Sequence, residues 1–126
     1  MEPPGDNEPE YVFFHEMAAD SQGNTFGAVI NEDLGIGLKT EYNLKELPYL
    51  MQWKSIASGD YVVGLEPANS SVYGRAYHFR EHSLHTREPL ETEVKHLTLS
   101  FLAGKELEQV KDEAEKLCRE NRSCRL

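Results

Sequence analysis

Residues 52–69 read Gln-Trp-Lys-Ser-Ile-Ala-Ser-Gly-Asp-Tyr-Val-Val-Gly-Leu-Glu-Pro-Ala-Asn, and no other stretch says as much about the chain. Residues 61–65 form a mostly apolar run of aromatic and β-branched side chains, which is typical of a buried strand. Pro67 follows Glu66, and because proline cannot donate to a central ladder, we expect the strand to end at Glu66. The strand would then present the Glu66 carboxylate at the mouth of a sheet.

Several polar groups precede and follow this carboxylate. Trp53 and Lys54 lie on the preceding predicted strand, so we expect them to share the mouth with Glu66. Gln52 and Asn69 add amide groups on either side. An indole stacks on the C–H faces of a sugar, while carboxylates and amides bind its hydroxyls. The stretch therefore predicts a sugar site.

Each of these candidates also has an ordinary structural interpretation. Glu66 would be a solvated carboxylate at a strand end, and Trp53 a core residue. Lys54 and Arg75 would be solvated charges, although both could bind hydroxyls or an acidic group. Asn69 would close a turn after Pro-Ala. The residue types alone leave these alternatives open.

The histidines and cysteines give weaker signals. His15 lies in an apolar strand, where a hydrogen-bonded structural histidine is the alternative to a substrate contact. His82 and His85 have no third ligand at a suitable spacing, so we expect no metal site there. Cys118 and Cys124 stand in the charged C-terminal region and do not form a disulfide framework. We expect free thiols in a reducing cytoplasm.

Composition narrows the classes of partner. The 126 residues include 13 basic and 22 acidic side chains, giving a formal net charge of −9. A surface that negative repels phosphate backbones and anionic lipids, so we expect neither nucleic acid nor membrane as a partner, whereas a small sugar is compatible. No apolar run approaches the ~18 residues of a membrane span. The acidic, proline-rich N-terminus has neither the basic nor the apolar region of a signal peptide.

Period-two alternation between turn clusters predicts an all-β antiparallel sandwich. We expect a flexible acidic leader over residues 1–10, the sandwich over 11–103, an amphipathic helix over 104–121 and a tail over 122–126. The predicted strands cover residues 11–17, 25–30, 34–42, 47–54, 61–66, 77–80 and 92–102.

Two of these strands are apolar on both faces, at residues 12–14 and 62–63. Such strands need cover on two sides, which a single sheet of this size cannot easily supply. Homo-oligomerisation, or pairing with another chain through exposed sheet edges, is therefore a further possibility.

The order and spacing of several segments resemble the C-terminal part of the aldose 1-epimerase (galactose mutarotase) superfamily, and most closely its DUF4432 branch. The resemblance covers residues 11–103. Members of that superfamily are much longer, so the chain corresponds to a C-terminal portion. The matching segments are residues 12–17, 47–54, 59–69, 74–75, 84 and 88–90.

The resemblance implies a fragment of a large antiparallel β-supersandwich that binds a hexose-like sugar. It also implies that Glu66 is the general base that removes the anomeric proton. Isomerisation by proton transfer needs no cofactor or metal, but the family's general-acid histidine lies in the N-terminal half. We therefore expect activity to need that half, and the alternatives are a non-catalytic sugar-binding module and a structural half-domain. The expected substrate contacts are Gln52, Trp53, Lys54, Asn69, Arg75 and His15.

Overall fold

The computed structural model describes residues 2–121, which form two three-stranded antiparallel sheets and two helices. Sheet I has the strand order β1-β4-β5 and consists of β1 (Glu10–His15), β4 (Tyr49–Ser55) and β5 (Val62–Ala68). Sheet II has the order β2-β3-β6 and consists of β2 (Asn24–Asn31), β3 (Ile36–Asn43) and β6 (Leu97–Ala103). The helices are α1 (Gly74–Arg80) and α2 (Lys105–Glu120). The predicted antiparallel β architecture with a C-terminal helix is confirmed.

Sheet I has two chemically different faces because side chains alternate along each strand. On β4, Trp53 lies opposite Val12 of β1 and Gly64 of β5, and these residues define what we call the outer face. Leu50 and Leu65 point the other way, and their methyl groups lie 3.4 Å from the position a Cβ would take on Gly27 of β2. This inner face therefore packs against sheet II.

The other face of sheet II is covered by α2. Leu102, Leu107 and Val110 form a buried cluster, with Phe26 and Ile30 packed against it. Burial of such side chains stabilises a fold by roughly 1.5–3 kcal/mol each. The apolar spacing of α2 predicted this amphipathic packing.

Gly37 of β3 permits the close approach of this helix. A Cβ on Gly37 would lie 3.0 Å from the carbonyl oxygen of Val29 and 3.1 Å from Leu107 Cδ2. A glycine inside a strand often marks the close approach of a neighbouring group. At Gly37 that neighbour is Leu107.

The chain departs from the sequence predictions at three places. β5 continues through Pro67 to Ala68, and it can do so because β5 is an edge strand, where the missing N–H of proline costs no ladder bond. Residues 77–80 belong to helix α1 and not to a strand. β6 begins at Leu97 and not at residue 92 as predicted. Just before it, the carboxylate of Glu46 accepts a hydrogen bond from the backbone N–H of His96 at 2.7 Å.

The N-terminal residues are paired with the sandwich. Gly5 donates its N–H to the carbonyl oxygen of Ile56 at 2.9 Å and accepts from Ser58 N–H at 3.0 Å. These bonds contrast with the expected flexible leader. The predicted tail and Cys124 lie outside the described residues. Neither described helix combines the length and apolarity that a bilayer crossing demands.

Candidate functional site

Glu66 and Trp53 lie side by side on the outer face of sheet I. Glu66 pairs with Met51, one alternation step along β4 from the Trp53–Gly64 pair, so it shares their face. A Cβ on Gly64 would lie 3.0 Å from Glu66 Oε1 and 3.7 Å from Trp53 Cε3. The Glu66 side chain therefore folds back over Gly64, and its carboxylate lies at the benzene edge of the indole.

A second carboxylate lies at the opposite edge of the same ring. The indole nitrogen of Trp53 donates a hydrogen bond to Glu10 Oε2 at 3.2 Å. Glu10 is the first residue of β1 and pairs with Ser55. Glu10 falls within the predicted leader, although its even spacing with Val12 and Phe14 is a signal that places all three on one strand face.

The surface between the two carboxylates is apolar and open. Met51 is buried beneath Glu66, and Val12 and Phe14 of β1 are partly exposed beside it. Within residues 2–121, no group donates a hydrogen bond to the carboxylate of Glu66, which is exposed. This carboxylate is therefore free to accept a proton or a hydrogen bond from a molecule that lies on the indole.

Helix α1 covers one end of the outer face. The ring of Tyr73 stacks on Phe14 with a centroid distance of 4.9 Å and an interplanar angle of 7°. His78 is 1% exposed and contacts Tyr49 edge-on at 5.7 Å. Arg75 is exposed on this helix.

The His78 ring holds the segment that contains α1. Ser71 N–H donates to His78 Nε2 at 3.0 Å, so Nε2 carries no proton. His78 Nδ1 and Ser83 Oγ are 2.8 Å apart. Asn69, half-buried just beyond β5, leads into this segment.

Three predicted contacts lie on the inner face. Gln52 and Lys54 flank Trp53 in sequence, and strand alternation turns both away from it. His15 is hydrogen-bonded to Gln52 Oε1 at 3.0 Å on that face. The expectation that Gln52 and Lys54 share one mouth with Trp53 and Glu66 is therefore wrong.

Lys54 has its own partners on the inner face. Its ammonium group donates to Glu2 Oε2 at 2.8 Å. It also lies 5.3 Å from the ring centroid of Tyr11 and 5.6 Å from that of Phe13. The ammonium group therefore interacts with Glu2 of the N-terminal segment and with the rings of β1.

Comparison with known proteins gives the family. The model of DUF4432, described as a domain of unknown function, matches residues 1–101. The chain belongs to the DUF4432 family. The resemblance to DUF4432 proteins noted in the sequence is confirmed. No curated protein matches the chain.

A solved structure matches the fold of this DUF4432 chain. It is the crystal structure of a "putative aldose 1-epimerase" from Klebsiella pneumoniae subsp. pneumoniae MGH 78578, with a TM-score of 0.84 and 24% sequence identity. The match covers 92% of the DUF4432 chain but only 31% of the Klebsiella chain. At that identity the match shows the fold, and the chain spans about a third of the length of its structural relative.

Metal-ligating side chains are not clustered in the described part of the DUF4432 chain. Residues 2–121 contain no group of three or more His, Cys, Asp or Glu placed to hold a metal ion. His85, half of the histidine pair noted in the sequence, is 2.9 Å from Glu93 Oε2.

The shifted titratable groups of the DUF4432 chain lie away from the outer face. Burial raises the pKa of Tyr42, in sheet II, to about 12. Hydrogen bonds from His96 lower the pKa of Glu46, and a hydrogen bond from Lys54 lowers that of Glu2. Burial opposes the charge on Lys39, but hydrogen bonds to Glu113 and Glu41 outweigh it and raise its pKa.

Proposed function

We propose that this chain binds a hexose-like sugar on the outer face of sheet I and contributes the base of an aldose 1-epimerase-type isomerisation. The observation that carries the proposal is the exposed Glu66 carboxylate, which lies over Gly64 against the indole edge of Trp53. The name of the Klebsiella protein supports the same reaction class.

The chemistry needs two proton transfers. Glu66 takes the proton of the anomeric hydroxyl, and the bond from the anomeric carbon to the ring oxygen breaks as the aldehyde forms. The ring oxygen takes a proton from a general acid, and reclosure after rotation gives the other anomer. Each positioned acid or base contributes roughly 10²–10⁴-fold in rate. The family resemblance implies a general acid in the N-terminal half of longer proteins, and the match covers only 31% of the Klebsiella chain, so we propose that full activity needs that half.

The outer face supplies the remaining proposed contacts. The indole of Trp53 stacks on the sugar, and Asn69 and Arg75 belong to the segment that covers one end of the face. Gln52, Lys54 and His15 lie behind the sheet, so we leave them out of the proposed site.

Anomer exchange measured by NMR tests the base assignment. Trp53 is the one tryptophan of the chain, so its fluorescence reports sugar binding independently of turnover. We expect Glu66→Gln to lower exchange by about 100-fold or more while binding persists. Glu16→Gln, an exposed glutamate just beyond β1, is the matched control. An exchange rate that survives Glu66→Gln contradicts the proposal, and binding without exchange in the wild type favours a sugar-binding module.

The exposed apolar side chains on the edge strand β6 of sheet II favour a second candidate, a half-domain that pairs with another polypeptide. Phe101 is 89% exposed, and Leu97 and Leu99 lie on the same face of the edge strand β6. Exposed edges with apolar faces are sites of sheet pairing. Sedimentation that stays monomeric at high protein concentration counts against self-pairing, and Phe101→Asp is the variant that should abolish any association.

A further inference from the structure

Glu10 is a second acidic group at the proposed sugar site, and the reaction described above does not use it. Its Oε2 accepts the indole N–H of Trp53 at 3.2 Å, which fixes one edge of the ring. Within residues 2–121, no other side chain donates to its carboxylate. Glu10 therefore holds the indole and keeps one oxygen available for a sugar hydroxyl.

The two carboxylates lie on opposite sides of the indole. Glu66 belongs to β5 and Glu10 to β1, the two strands that flank Trp53 in the order β1-β4-β5. Glu10 Oε2 is 3.2 Å from the indole nitrogen, and Glu66 Oε1 and Trp53 Cε3 lie 3.0 and 3.7 Å from the same Cβ position on Gly64, so a sugar stacked on the indole lies close to both carboxylates. A phosphate, sulfonate or carboxylate on that sugar would be repelled from both sides.

The basic side chains near this part of sheet I do not neutralise the negative charge of Glu10 and Glu66. Lys54 is on the inner face and paired with Glu2. Arg75 lies on α1, at the end of the face, and pairs with no acidic group among residues 2–121. Arg75 could therefore favour an anionic sugar at that end of the face.

We propose that Glu10 is a specificity-determining residue. It positions the indole of Trp53 and, together with Glu66, makes the face select an uncharged sugar over a phosphorylated, sulfonated or uronic acid sugar. This inference rests on the proposed function, since it concerns the same face.

The experiment titrates the full chain with D-galactose and D-glucose, and separately with glucose 6-phosphate and glucuronate, following Trp53 fluorescence. In the wild type we expect the neutral sugars to bind about tenfold more tightly than the anionic sugars. High salt should lower this ratio of affinities, neutral over anionic. Glu10→Gln keeps an acceptor for the indole N–H but removes the charge, so the ratio should fall about threefold or more. Glu10→Ala, which loses the acceptor, should weaken binding of both kinds of sugar.

Glu8→Gln is the matched control. It removes the same charge two residues upstream, where Glu8 accepts from the hydroxyl of Tyr11, and it should leave the ratio unchanged. Anionic sugars that bind as tightly as neutral ones overturn this inference alone and point to Arg75. If the ratio of neutral to anionic sugar affinity in Glu10→Gln equals that of the wild type, the proposed role of Glu10 is wrong, while the proposed sugar site is unaffected. If no sugar changes the fluorescence, the proposed function fails and this inference falls with it.

Discussion

Glu66 and Lys54 lie on opposite faces of sheet I, although the sequence predicts that they share one mouth of the sheet. Lys54 pairs with Val63, three residues before Glu66, and an odd separation along a strand changes the face. The Lys54 ammonium reaches Glu2 instead. The proposed base consequently has no cationic partner from β4.

This separation predicts that Lys54→Met leaves sugar binding and anomer exchange within twofold of the wild type. Methionine keeps the chain length, and the ion pair to the exposed Glu2 contributes little to stability because solvent screens it. The change should show in hydrogen exchange of the Gly5 and Ser58 amides, whose bonds hold the N-terminal segment. A tenfold loss in the rate of anomer exchange would show that Lys54 belongs to the sugar site.

Tyr42 carries a buried hydroxyl without a partner in the described part of the chain. The residue is 5% exposed, so the hydroxyl loses its water and gains no bond in return. Such a group costs about 1–3 kcal/mol, and Tyr42→Phe should therefore raise the free energy of unfolding by an amount in that range. Urea denaturation measures it, with the exposed Tyr61→Phe as the control. A destabilised Tyr42→Phe would show that the hydroxyl is bonded in solution.

The same tyrosine predicts a pH dependence. Burial raises the pKa of Tyr42 from 10.0 to about 12, so between these values the unfolded chain loses a proton that the folded chain keeps. Stability from this group is complete below pH 10 and falls as the pH rises towards 12, by roughly 2–3 kcal/mol in all. The stability advantage of Tyr42→Phe should grow across that window. An advantage independent of pH would mean that Tyr42 ionises freely in the folded state.

The contact between Gly37 and α2 predicts a steric effect. Gly37→Ala should destabilise the fold by about 1–3 kcal/mol, because the new methyl group meets the Val29 carbonyl at 3.0 Å and Leu107 at 3.1 Å. Gly27→Ala meets its neighbours at 3.4 Å and serves as the milder control.

Truncation of Leu107 tests which neighbour matters. Leu107→Ala alone should cost about 2–5 kcal/mol as a cavity in the α2 cluster. In the double variant the side-chain clash is relieved while the carbonyl clash remains, so the cost should be less than the sum of the two. Strict additivity in thermal unfolding would assign the whole Gly37 effect to the backbone of Val29.

His78 predicts a local effect on the segment around α1. His78→Ala leaves the Ser71 N–H without its acceptor and removes the link to Ser83, for a loss of about 1–3 kcal/mol. Amide exchange should accelerate in residues 70–83 more than in sheet II. Uniform acceleration across both sheets would indicate that the ring supports the global fold.

Much of the local structure followed from pattern alone. Period two located most strands and the 3.6 period located α2, because these periods reflect backbone geometry within one element. Residues 77–80, Tyr-His-Phe-Arg, are predicted as a strand but form a helix, because four residues cannot distinguish a helical from an extended period. Pro67 predicts a strand end, because the sequence does not reveal that β5 lies at an edge.

The sequence by itself determined which residue types could form the site, and the alternation that turns Gln52 and Lys54 away from Trp53. Only the tertiary structure decided that Gly64 lies opposite Trp53, which lets Glu66 fold against the indole, and that Glu10 accepts the indole N–H. The reason is that alternation is a property of one strand. Register between strands depends on turn geometry and on which face is buried, and packing across the whole sandwich decides which face that is.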